Sequence, residues 1–139
     1  MAPIHPQGLH YAHITAADDP TIDWHGTFAT YGGSGSDGSI TVPFWIEPGG
    51  HLGWHTDSIE ETQVIISGYG ELRTEEGVWP VAAGDMFVLP ALARHDLANA
   101  GSEPLRAVAF FSGPALTQVF DNMMLPPNSH TLRSPNAGG

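Results

Sequence analysis

The stretch GGHLGWHTDSIEETQVIISG, residues 49–68, decides how this chain reads. In an extended backbone side chains two apart share a face, so His51, Gly53, His55 and Asp57 would all point the same way. Ser58-Ile59-Glu60 then turns the chain, and Glu61, Gln63 and Ile65 form the inward row of the next strand. Two neighbouring strands thereby aim His55, Asp57 and Glu61 at one point. A fourth group has to come from across the sheet. His95 in GDMFVLPALARHDLAN (84–99) is the candidate, because a turn at Gly84-Asp85, a strand at 86–89 and a second turn at 90–93 leave it opening the following strand.

Composition narrows the chemistry around that point. The 139 residues make one domain, long enough to bury a core unaided. With no cysteine, disulfides, iron–sulfur clusters and thiolate zinc sites are excluded, and His, Asp and Glu remain as the strong metal ligands. Fifteen acidic residues stand against four arginines and no lysine, a balance that repels phosphate backbones and argues against a nucleic-acid partner. It also removes Schiff-base and P-loop lysines. No apolar run approaches the roughly 18 residues of a membrane span, and the first residues lack a basic start and an apolar centre. The expectation is a cytoplasmic protein with no membrane partner.

The 17 glycines and 12 prolines are spread as punctuation between short β-branched and aromatic segments. These segments are 27–31, 39–47, 62–67, 70–74, 86–90 and 105–111. In 39–47 Ile40, Val42, Phe44 and Ile46 share one face and Thr41, Pro43, Trp45 and Glu47 the other. Pro43 gives up a ladder hydrogen bond, which predicts an edge or a bulge there. EEGV (75–78) reads as a hairpin connection with Gly77 at positive φ. One helix is expected at 114–124, with Pro114 in the first turn, a stripe of Leu116, Val119, Phe120 and Met123, and Pro126-Pro127 as the stop. Many short strands with turn signals predict an all-β sandwich or barrel. The expected division is a mobile segment at 1–20, a single domain at 21–125 and a tail at 126–139, with residues 136–139 mobile as well.

The spacing Gly49-x5-His55-x-Asp57-x3-Glu61-x6-Gly68 resembles the first cupin motif, G-x5-H-x-H-x3-E-x6-G, with Asp57 in place of the second histidine. Gly84, Pro90, His95 and Asn99 match the second motif, G-x5-P-x-G-x2-H-x3-N, which departs at Leu92, where glycine is usual. The separation of the motifs fits a small single-domain cupin, and the resemblance spans roughly residues 44–111. It implies a double-stranded β-helix, that is, a jelly-roll barrel, here with the short C-terminal helix. It also implies a metal held by His55, Glu61 and His95, with position 57 open. Small cupins commonly form homodimers, and the same is expected here.

Asp57 admits three roles. As a ligand it makes a shell of two His and two carboxylates, suited to Fe(II), which is favoured, or to Mn, Ni or Zn. As a neighbour of the ligands it is an acceptor or general base, its pKa raised by Glu61. Otherwise it only bonds the backbone of its own turn. His51 could supply the missing imidazole if no bulge intervenes at Gly49-Gly50 or Gly53. Gln63 reads as a polar barrel-lining residue. His5, His10, His13, His25 and His130 read as loop or terminal residues without function. Arg94 and Arg106 read as surface ion pairs, and Phe44, Trp45, Phe87, Val88, Phe110 and Met123 are candidates for the cavity wall.

The functional expectation is a metal-dependent enzyme on a small-molecule substrate. A non-haem-metal dioxygenase is favoured. The alternative is a lyase, isomerase or cyclase in which Asp57, Glu61 or His51 moves the proton. A non-catalytic small-ligand-binding cupin is the rival from another class.

Overall fold

The alternation at 39–47 becomes strand β3 (Ile40–Ile46), with Ile40, Phe44 and Ile46 buried. Its partner β10 (Leu105–Phe111) alternates in the same way. Leu105, Ala107, Ala109 and Phe111 are buried while Arg106 and Phe110 face out, and the two strands pair along their whole length. The computed structural model describes residues 2–135. Around this pair the chain runs β1 (Ala12–Ala16), β2 (Asp19–Gly26), β3, β4 (His55–Asp57), β5 (Glu61–Ser67), β6 (Tyr69–Thr74), β7 (Gly77–Ala82), β8 (Met86–Leu89), β9 (His95–Asn99), β10, β11 (Thr117–Leu125) and β12 (Ser129–Arg133).

All pairings between these strands are antiparallel, in the order β7-β6-β9-β4-β11-β1-β2-β3-β10-β5-β8, with β12 on the free side of β11. The sheet curls so that its inner face makes one core, which includes the fully buried Ile22, Ile46, Leu97, Leu105 and Met124. The extended piece at 50–52 ties the two arms of the curl together. His51 N–H donates to Thr21 O at 3.0 Å, Leu52 N–H to Leu97 O at 3.0 Å, and Asn99 N–H to Gly50 O at 2.9 Å.

Three expectations change. The segment 114–124 is not a helix; its residues enter β11, which pairs with β1, β4 and β12. The buried positions Leu116, Phe120 and Met124 are four apart. That spacing keeps to one side of a helix and equally to one side of a strand. The domain also extends past both expected boundaries, since β1 lies within residues 1–20 and β12 within 126–139. Residues 136–139 lie outside the described residues. Pro43, finally, is neither at an edge nor at a bulge. It pairs with Val108 on one side, while its missing N–H falls opposite 27–30. There β2 has ended, and only scattered bonds such as Thr27 N–H to Pro43 O (3.3 Å) remain.

The motif glycines mark the turns between these strands. Gly68 has φ 95°, and a Cβ there would lie 2.9 Å from Pro104 O, so both backbone and space require glycine. Leu92, at the position where the motif has glycine, keeps the left-handed conformation with φ 66°.

Candidate metal centre

Two strands deliver the histidines face to face. His55 on β4 and His95 on β9 are direct cross-strand partners, with ring centroids 4.2 Å apart. Each donates its Nδ1–H to a backbone carbonyl two residues upstream, His55 to Gly53 O and His95 to Ala93 O, both at 2.8 Å. That fixes the tautomer and leaves both Nε2 lone pairs turned inward. Asp57 follows His55 on the same face of β4, and Glu61 and Gln63 open β5. His95 Nε2 lies 3.4 Å from Asp57 Oδ2 and 3.3 Å from Glu61 Oε1, and His55 Nε2 lies 3.7 Å from Asp57 Oδ1. All four side chains are buried.

Burial without compensation shows in the electrostatics. It pushes His55 down to about 4, with the nearby His95 adding to the effect. It pushes Asp57 up to about 7, with the like charge of Glu61 adding. Glu61 is also pushed up by burial, against the hydrogen bond from Gln63. Asp57 Oδ2, Glu61 Oε1, Gln63 Oε1 and His95 Nε2 are buried and have no hydrogen-bond partner. Buried polar atoms are nearly always satisfied. Four orphaned acceptors on two carboxylates, one amide and one imidazole, with the inward Nε2 of His55 beside them, fit a divalent first-row cation. The donor atoms of His55, Asp57 and His95 lie within 4.8 Å of one another.

Around this centre lies a scaffold that the motif spacing does not show. Gln118 on β11 donates to Asp57 Oδ1 at 2.9 Å, and Phe120 stacks on His55 at 4.5 Å and 19°. His51 is not brought into the cluster. Its Nδ1 is 2.8 Å from Asp96 Oδ2 and its Nε2 2.9 Å from Asp19 Oδ2, so neither nitrogen is free. The hydrogen bond to Asp96 raises the His51 pKa. Burial opposes the charge of Asp96, yet the hydrogen bond and charge of His51, the Gly53 amide and Arg73 hold its pKa down. Because Asp96 Oδ1 also accepts the Gly53 N–H at 2.9 Å, a chain runs Asp19–His51–Asp96–Gly53–His55. Asp96 was legible only as the neighbour of His95. Strand parity turns it to the opposite face, where nothing in the spacing marks it.

A cavity of about 620 Å³ opens over the cluster, with His55, Glu61, Gln63 and Gln118 at its polar end and Trp24, Phe28, Phe44, Phe111 and Phe120 among its apolar walls. Of the wall residues expected from the sequence, only Phe44 takes part. Trp45, Phe110 and Val88 occupy the opposite parity and face outward, and Phe87 lines a separate groove. The arginines are on the outside: Arg94 pairs with Asp121 and lies over Trp54, and Arg106 lies over Trp45.

Fold and site together define a class. Residues 44–111 match the Cupin domain family model, and this segment is a cupin domain. No curated protein matches it. Among solved structures it is similar to a putative sugar phosphate isomerase from Acidithiobacillus ferrooxidans (20% identity, 93% of this chain and 86% of that one, TM-score 0.66). It is also similar to the polyketide cyclase RemF from Streptomyces resistomycificus (15% identity, 81% and 79%, TM-score 0.67). The oxalate decarboxylase of Bacillus subtilis, described with Mn(II) centres, matches at 20% identity over 76% of this chain and 29% of its own (TM-score 0.62). At these identities the likeness concerns the fold.

Proposed function

We propose that the protein is a metal-dependent enzyme acting on a small, largely apolar molecule by proton transfer, as in an isomerisation or cyclisation. The observation that carries this reading is the set of four unpartnered buried acceptors on Asp57, Glu61, Gln63 and His95, of which Glu61 and Gln63 line an aromatic-walled cavity. His55, Asp57 and His95 hold the ion, with Fe(II), Mn(II), Ni(II) and Zn(II) all suited to the donor set. A bound divalent cation polarises a substrate oxygen and so acidifies the neighbouring C–H.

Glu61 is the group placed to move the proton. It lines the cavity while its Oε1 stays 3.3 Å from His95 Nε2. Gln63 donates to Glu61 Oε2 at 2.8 Å and orients the carboxylate. Gln118 does the same for Asp57. The apolar walls exclude water and select a substrate with an aromatic or similarly flat apolar body. His51 serves as a positioning residue through Asp96 and Gly53. Glu61→Gln is expected to keep its metal and to lose roughly 10²–10⁴-fold in turnover. Loss of the metal in that variant would make Glu61 a fourth ligand and remove it from the proton-transfer role.

The second reading is an oxygenase. It is favoured by the two-His, one-Asp set, which leaves coordination positions open as in non-haem Fe(II) oxygenases. Turnover compared in air and under argon separates the two, because proton transfer is indifferent to O₂.

A homodimer fits the outward face of β10, β5 and β8. There Val108, Val64 and Met86 stand in register, as do Phe110, Thr62 and Val88, with Met86 and Val88 among the most exposed apolar side chains. Sedimentation of Met86→Lys against the parent tests it, a monomeric variant being the expected result.

A further inference from the structure

On the outward face of β1, β2 and β3, with His13 also among the residues that line the cavity, lies a second group of metal-ligating side chains. His13 and His25 are direct cross-strand partners, and His25 is in turn the partner of Trp45. The three rings form a ladder, with His13 on His25 at 4.2 Å and 8°, and His25 on Trp45 at 4.6 Å and 13°. Each imidazole has a carboxylate at its edge. His13 Nε2 is 2.6 Å from Asp23 Oδ1, and His25 Nε2 is 3.2 Å from Glu47 Oε2. The donor atoms of His13, Asp23 and His25 all lie within 4.8 Å of one another.

We propose that this group is a second divalent-cation site, formed by His13, Asp23 and His25 with Glu47 as the fourth donor. Two histidines and two carboxylates suit Zn(II), Ni(II) or Cu(II). A tetrahedral ion with bonds of about 2.0–2.1 Å sets adjacent donors about 3.3 Å apart, so seating it takes side-chain shifts that tilt the two near-parallel rings toward one point. Such shifts meet little resistance, because the four side chains are between 21% and 55% exposed. Adjacent strands already fix the positions of His13, Asp23 and His25, and Glu47 directly follows β3, its N–H donating to Asp23 O at 3.1 Å. Two stacked imidazoles repel when both are protonated, whereas one cation between them and the carboxylates satisfies every donor. A chain with a formal net charge of −11 also favours a bound cation. Trp45, which stacks on His25 and donates Nε1–H to Glu47 Oε2 at 3.2 Å, is a built-in reporter.

The site is separable from the buried centre. In the His95→Ala background, which silences the cavity, zinc titration of metal-stripped protein is expected to find one equivalent bound. Adding His13→Ala/His25→Ala is expected to abolish it. Asp23→Asn, which preserves shape, should weaken it at least 10-fold. Adding His5→Ala/His10→Ala should leave it intact. Cu(II) should quench fluorescence in the His95→Ala protein, and most of that quenching should disappear with Trp45→Phe. Absence of zinc binding to His95→Ala protein would overturn the proposal. So would retention of the equivalent after removal of His13 and His25, or its loss with His5 and His10.

Discussion

Two clusters of histidine and carboxylate lie on opposite faces of the same sheet, and they differ in what surrounds them. In the cavity, His55 and His95 are held by backbone carbonyls, Asp57 by Gln118 and Glu61 by Gln63, leaving four acceptor atoms unpartnered. On the outside, His13 and His25 rest directly against Asp23 and Glu47, and water reaches all four. The same donor types therefore make a preorganised centre in one place and an adaptable one in the other. Burial raises the energy of the empty inner arrangement, so an ion that relieves it binds tightly. The outer arrangement is content without an ion and should release one readily.

The largest expected break in this contrast comes from His95→Ala. It removes the Nε2 that faces both carboxylates, and metal analysis of the purified variant should show the buried ion gone, with activity falling at least about 100-fold. Unchanged metal content would dissolve the distinction between the clusters. Phe120→Ala asks whether the packing behind His55 matters. Phe120 is 3% exposed and stacks on both His55 and Trp24, so about 3–5 kcal/mol of stability should be lost in urea denaturation. Trp45→Ala, beside the outer cluster and only half-buried, should lose less.

His51 sharpens the contrast through pH. Its pKa is raised above 6.5 by Asp96 and Asp19, with Arg73 on the far side of Asp96. Its stabilising contribution is therefore full below 6.5 and fades as pH rises through the higher folded-state value. Urea midpoints of the parent should decline over that alkaline window. His51→Gln should lose about 1–3 kcal/mol at acidic pH and show a flatter profile. The smallest effect is expected at Leu92, an exposed leucine held at φ 66°. Leu92→Gly should gain about 1 kcal/mol by relieving the left-handed strain, read as a rise in the thermal midpoint.

The centre was legible because its spacing is rigid chemistry. His55-x-Asp57 shares a face by strand parity, the short turn at 58–60 returns Glu61 to the same side, and the second motif sets His95 opposite. Gly77 was legible for a similarly local reason, as the hairpin position that needs a positive φ. The segment 114–124 was not. Leu116, Phe120 and Met124 satisfy helix and strand alike, and only hydrogen bonds to β1, β4 and β12 break the tie. His13 and His25, twelve residues apart, read as unrelated until the register of β1 on β2 pairs them.

What the sequence by itself determined is therefore the all-β class, the strands around 40–111 and the residue types meeting at His55, Asp57, Glu61 and His95. These follow from periodicities and spacings a few residues long. Only the tertiary structure decided which way His51 turns, away from the cluster and into a bridge between Asp19 and Asp96. It also decided which aromatics wall the cavity and that a second histidine pair exists. Those outcomes depend on sheet register and curl, which are fixed by long-range hydrogen bonding and packing and leave no local signature in the chain.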